Sequence, residues 1–104
     1  MTYELTVIYH QPEDPEAFDA HYETTHAPLA SRLPGLQSYT VTRPEPGRDG
    51  TPAGAYVVAA LRFADKDAFG AAMSSEEGKA TAEDVPGFAT GGVTMMTGEV
   101  TTYL

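Results

Sequence analysis

Residues 14–35, DPEAFDAHYETTHAPLASRLPG, restrict the fold most, because helix-start, helix-face and helix-stop signals follow one another within them. Asp14 is placed to cap a helix N-terminus, and Pro15 takes the first helical position, where a missing N–H costs nothing. Phe18, Tyr22, His26, Leu29 and Leu33 recur every three or four residues, the spacing of one buried helical face. A histidine therefore occupies a core position. Pro28 follows two residues later, and its ring opposes the carbonyl four residues back, so the backbone is expected to kink or restart near His26. Pro34 and Gly35 end the element.

Strand patterns surround this helix. In residues 3–10, Tyr3, Leu5, Val7 and Tyr9 alternate with Glu4, Thr6, Ile8 and His10. Residues 36–43 are rich in β-branched and aromatic types and read as a second strand. The segment 44–54, with three prolines and three glycines, reads as a loop long enough to serve as a lid. The most apolar run, 55–63, predicts a central strand. Asp65 is the expected cap of a second helix that carries Phe69, Ala72 and Met73 on one face. Ser74 with Glu77 fits a capping box for a further turn or two ending before Pro86-Gly87. Gly91-Gly92 opens a last strand running to the end of the sequence, and Gly98 within it suggests a bulge or a close backbone approach.

The order β-α-β-β-α-β predicts an α+β, ferredoxin-like domain over residues 1–104, with a four-stranded antiparallel sheet and its helices on one face. The opposite face would carry apolar residues without a cover. A homodimer with the two sheets facing each other would bury it, and a small hydrophobic molecule would fit between helix and sheet or inside the joined sheets. Only six basic residues stand against fifteen acidic ones, a net charge of −9. That balance argues against nucleic acid and anionic membranes as partners. With no run of 18 apolar residues and no basic leader, a cytoplasmic location is expected. Absence of cysteine removes disulfides, thiolate metal sites and cysteine nucleophiles from consideration. No metal is expected either, because His21 and His26 would stand about 140° apart on an α-helix. His21, off the apolar face, reads as a solvated residue.

The run DPEAFDAHYETTHAPLASRLPGLQSYTV, with EEGKATAEDVPGF and the closing strand, resembles the EthD family, named for a protein associated with degradation of ethyl tert-butyl ether. The most specific part is His26, Pro28 and Leu29 followed by Leu33-Pro34-Gly35-Leu36 and Tyr39. A second match, Asp84-Val85-Pro86-Gly87-Phe88, has glycine where the family pattern has asparagine. The resemblance implies a dimeric α/β barrel, and members are often labelled reductases or oxidoreductases. Similar proteins in that superfamily include muconolactone isomerases, polyketide cyclases and cofactor-free monooxygenases. In the related methylmuconolactone methylisomerases a helix histidine and a strand tyrosine line the pocket, which by motif correspond to His26 and Tyr39.

These residue types suit proton transfer. An imidazole with an ordinary pKa near 6.5 takes and returns a proton at neutral pH, and a tyrosine hydroxyl can hold a carbonyl or enol oxygen meanwhile. His26 and Tyr39 are the candidate catalytic residues, with Tyr9, His10, Tyr22, Tyr56 and Met95 as candidate substrate contacts. No cofactor is called for by this chemistry, which covers isomerisation, cyclisation or activation of an enol or phenol toward oxygen. Two alternatives stay open. His26 and the tyrosines could be satisfied core residues, and the protein could be an accessory or ligand-binding partner of a degradation pathway.

Overall fold

The computed structural model describes residues 2–104. Strand β1 (Thr2–Tyr9) leads to a helical segment made of α1 (Pro15–His21), a π-helical turn (Tyr22–His26) and α2 (Ala27–Ala30). Strands β2 (Ser38–Thr42) and β3 (Val57–Phe63) follow, then α3 (Lys66–Ser74), α4 (Glu76–Phe88) and β4 (Val93–Val100). The four strands form one antiparallel sheet in the order β2-β3-β1-β4. This is the ferredoxin-like arrangement, and β3 is interior as its apolar sequence predicts.

The core lies between the helices and one sheet face, where Val7, Tyr9, Val57, Ala59, Leu61 and Phe63 meet Phe18, Tyr22, Ala72, Val85 and Phe88. Phe18, Tyr22, His26 and Leu33 are all buried as their spacing predicts. Ala30 and not Leu29 fills the remaining place on that face, with Leu29 only partly buried. The opposite sheet face presents Ile8, Val58, Ala60 and Met96 beside Thr6 and Thr40, closed at one end by a 2.8 Å Arg62–Glu4 ion pair.

Local chemistry explains most boundaries. The Asp14 carboxylate accepts from the Ala17 N–H and the Asp65 carboxylate from the Ala68 N–H, so both expected caps are present. Gly35 follows the first helical segment with φ +76°, in the left-handed region open to glycine.

Four expectations are corrected. The capping serine of α4 is Ser75, which accepts from the Gly78 N–H, and not Ser74. A Cβ at Gly78 would come within 2.2 Å of the Ala72 carbonyl, so glycine there permits the tight junction between α3 and α4. Helix α4 runs through Pro86 to Phe88 instead of stopping before it. The carbonyl that Pro86 cannot satisfy belongs to exposed Ala82, where water can reach it. Gly98 pairs with Glu4 in unbroken register and a Cβ there would meet nothing within 4 Å, so it marks neither a bulge nor a close approach. Finally, β4 ends at Val100, and Tyr103 beyond it is exposed.

Candidate functional site

Pro28 produces a widened turn where a kink or restart was expected. The Ala27 N–H bonds to the Tyr22 carbonyl, five residues back, and helical geometry continues on both sides. An inserted π turn gives the proline ring room within the helix. It also changes which side chains share a face. An i→i+5 turn brings positions five apart toward one another, so His21 and His26 converge. Both reach the same carboxylate, on α4.

His26 Nδ1 lies 2.9 Å from Asp84 Oδ2, while His21 Nε2 lies 2.9 Å from Oδ1 and 3.0 Å from Oδ2. His21 is thus not merely solvated: its ring also stacks on Phe88 with centroids 5.0 Å apart, and its side chain is 35% exposed against 4% for His26. Burial pulls the His26 pKa below its ordinary value, although the Asp84 hydrogen bond and charge oppose that shift. Burial pushes Asp84 the other way, yet hydrogen bonds and charge from His26 and His21 hold its carboxyl below the usual range. At neutral pH the pair is therefore a neutral imidazole against a carboxylate. The carboxylate can only accept, so Nδ1 carries the proton and Nε2 is left as a lone-pair acceptor.

Nε2 faces the Tyr9 hydroxyl at 3.4 Å, a long hydrogen bond in which the phenol donates. Beyond it the Tyr22 and Tyr39 hydroxyls bond to each other at 2.5 Å. Burial raises the pKa of all three phenols above the ordinary value, which keeps them protonated as donors. His26, Tyr9, Tyr22, Tyr39 and Met95 all line one internal cavity of about 90 Å³ whose remaining wall is mostly apolar. A surface cleft of about 430 Å³ lies on the other side of the Tyr22–Tyr39 pair, walled also by Glu23, Ser31 and Arg43.

Two candidates fall elsewhere. His10 bonds through Nε2 to the Thr94 hydroxyl at 2.9 Å and does not line the cavity. Tyr56 donates to Asp19 Oδ1 at 2.9 Å, with the Arg43 guanidinium over its ring, and borders a recess formed with the 44–54 loop. That loop covers this recess and contributes nothing to the wall around His26. Two residues of the site were not singled out from the sequence, His21 and Asp84. The Asp84 signal was present, since it opens the DVPGF segment, but nothing in α-helical spacing points two histidines five residues apart at one acid.

A sequence model of the EthD domain matches residues 10–92. The chain belongs to the EthD family. An EthD family protein of Bacillus halodurans, solved by crystallography, is 39% identical, covers 97% of this chain and 100% of its own, and superposes with a TM-score of 0.90. An uncharacterised 11.0 kDa protein of Rhodococcus erythropolis from the thcB-thcC intergenic region is 42% identical over 94 residues, 90% of either chain. SnoaB of Streptomyces nogalater, a cofactor-independent oxygenase, is 22% identical with a TM-score of 0.63 over 99% of this chain and 94% of its own, a likeness of fold. This EthD protein thus carries its Asp84–His26 pair within the matched domain. No helix among its described residues is long and apolar enough to cross a membrane.

Proposed function

We propose that this EthD protein is a small homodimeric enzyme that moves a proton on a small hydrophobic carbonyl, lactone or phenolic compound. The observation that carries the reading is the Asp84–His26 pair, which leaves an unprotonated Nε2 facing a cavity ringed by three tyrosine hydroxyls. Nε2 removes a proton from the carbon next to a carbonyl, or from an enol or phenol, and Tyr9 with the Tyr22–Tyr39 pair donates to the oxygen where charge develops. The imidazolium then returns the proton to a second position for isomerisation or ring closure. The same deprotonation of an enol or phenol prepares it for reaction with dioxygen, in keeping with the oxygenase that shares the fold.

A cavity of about 90 Å³ is smaller than the roughly 300–1,000 Å³ usual for ligand sites, so the substrate enters through the outer cleft as Tyr22 and Tyr39 part. Two subunits pack through the sheet face bearing Ile8, Val58, Ala60 and Met96, in keeping with related folds described as dimeric. A thermal-shift screen of wild type and His26→Asn against small lactones, enols, phenols and hydroxyquinones tests the reading. A ligand at a hundredfold its Kd adds about 2.7 kcal/mol, a rise on the order of 10 °C. A class that stabilises both proteins but is turned over only by the wild type supports an enzyme. Equal binding and no turnover in either points to an accessory binding protein.

A further inference from the structure

The cavity beside His26 is too small for an organic substrate and poor in partners for water. Its volume is about 90 Å³, whereas an apolar cavity that takes benzene runs to roughly 150 Å³. Leu5, Val7, Leu33, Ala59, Leu61 and Val85 are among the apolar residues of its wall. The polar side chains there already have partners: Tyr9 with His26, His26 with Asp84, Tyr22 with Tyr39, and Thr81 with the Glu77 carbonyl. A buried water asks for about two to four partners of its own, so the space suits something smaller than a ring and less polar than water. Tyr22 and Tyr39 also line the outer cleft of about 430 Å³, whose size is that of an ordinary ligand site. Two spaces of different size and polarity thus share one wall.

We propose that the inner cavity is a dioxygen site, and that the organic substrate stays mainly in the outer cleft and reaches His26 between the parted tyrosines. This rests on the reading of His26 as a proton-transfer base and narrows that reading to oxygenation of an enol or phenol. A diatomic gas fits the volume and needs no hydrogen bonds, and the shared wall sets it against the part of the substrate that His26 deprotonates. Nε2 takes the hydroxyl proton, and the electron-rich carbon of the resulting anion forms a C–O bond to dioxygen, one electron at a time. The imidazolium then gives the same proton to the outer oxygen. The substrate loses two electrons, dioxygen gains them as a hydroperoxide, and His26 returns to its neutral form, so no further oxidant, reductant or proton carrier takes part.

The test uses dioxygen itself as the probe. Because the gas is paramagnetic, methyl relaxation in the intact protein under raised oxygen pressure, with nitrogen at the same pressure as reference, reports where it dwells. Methyls of Leu33, Ala59 and Leu61 line the cavity, whereas those of Val57 and Ala72 are buried elsewhere in the core. Relaxation of the first set should rise several-fold more than that of the second, and Ala59→Val, which fills part of the cavity, should shrink the difference. Equal enhancement of both sets in the wild type overturns the proposal, whether or not the variant folds. So does a difference that a folded Ala59→Val leaves unchanged, or a long-lived water that cross-relaxes with the Ala59 and Leu61 methyls. A compound turned over as fast under nitrogen as under air also overturns it and leaves the base in place. Failure of the base itself shows separately, as ligand hydrogens that exchange equally fast in wild type and His26→Asn.

Discussion

Replacing Asp84 by alanine should destabilise this protein well beyond the usual effect of a partly exposed residue. Among the described residues the carboxylate is the only acceptor for the His26 Nδ1–H, and no buried side-chain nitrogen or oxygen lacks a partner. His26 is 3% exposed, so its ring nitrogen is largely shielded from solvent. A buried donor left unpaired costs about 1–3 kcal/mol, and the more exposed His21 contact adds at most a few tenths. The sum, about 2 kcal/mol, corresponds to a fall in Tm of roughly 10 °C for a domain this size. Asp84→Asn keeps an acceptor oxygen and should cost about half as much or less. Urea unfolding of the three proteins near neutral pH measures this directly. Equal midpoints for wild type and Asp84→Ala would refute the assignment of Asp84 as the partner on which His26 depends.

Acid should weaken the wild type through the same pair. The His26 pKa is lowered from 6.5 on folding and that of Asp84 from 3.8, so the unfolded chain binds more protons, and stability is lost as pH falls from about 6.5 downward. A midpoint that rises on acidification would contradict both directions. Turnover by a neutral His26 should share an acid limb below 6.5, and Asp84→Asn should move that limb to lower pH, because the carboxylate charge favours the imidazolium. Gly78→Ala should cost about 1–3 kcal/mol by forcing α3 and α4 apart, which chemical denaturation would register. Met96→Lys, at a side chain 51% exposed in the single chain, should leave the fold intact yet shift sedimentation from dimer to monomer, and an unshifted dimer would place the interface elsewhere.

The fold was legible because each element carries its own periodicity and punctuation. The run 55–63 reads as an interior strand, found at Val57–Phe63, and Asp14 and Asp65 read as caps, because such signals act over a few residues. The site was half legible. His26 and Tyr22 follow from helical spacing, Tyr9 from strand alternation and Tyr39 from the family resemblance, and all four line one cavity. Asp84 and His21 did not follow, since their meeting depends on a π turn that no α-helical count anticipates. Pro28 signals a disturbance there without telling a kink from an inserted residue. Ser74 and Ser75 show the same limit. Two adjacent serines each offer a cap, and the choice is made by Gly78, which alone lets the next helix approach the Ala72 carbonyl.

The most direct test of the central claim is proton exchange on a bound ligand in heavy water, followed by NMR with wild type and His26→Asn. A ligand that stabilises both proteins should take up deuterium next to its carbonyl with the wild type, and on the order of a hundredfold or more slowly with the variant. Equal incorporation rates in both proteins would contradict the assignment of His26 as the base.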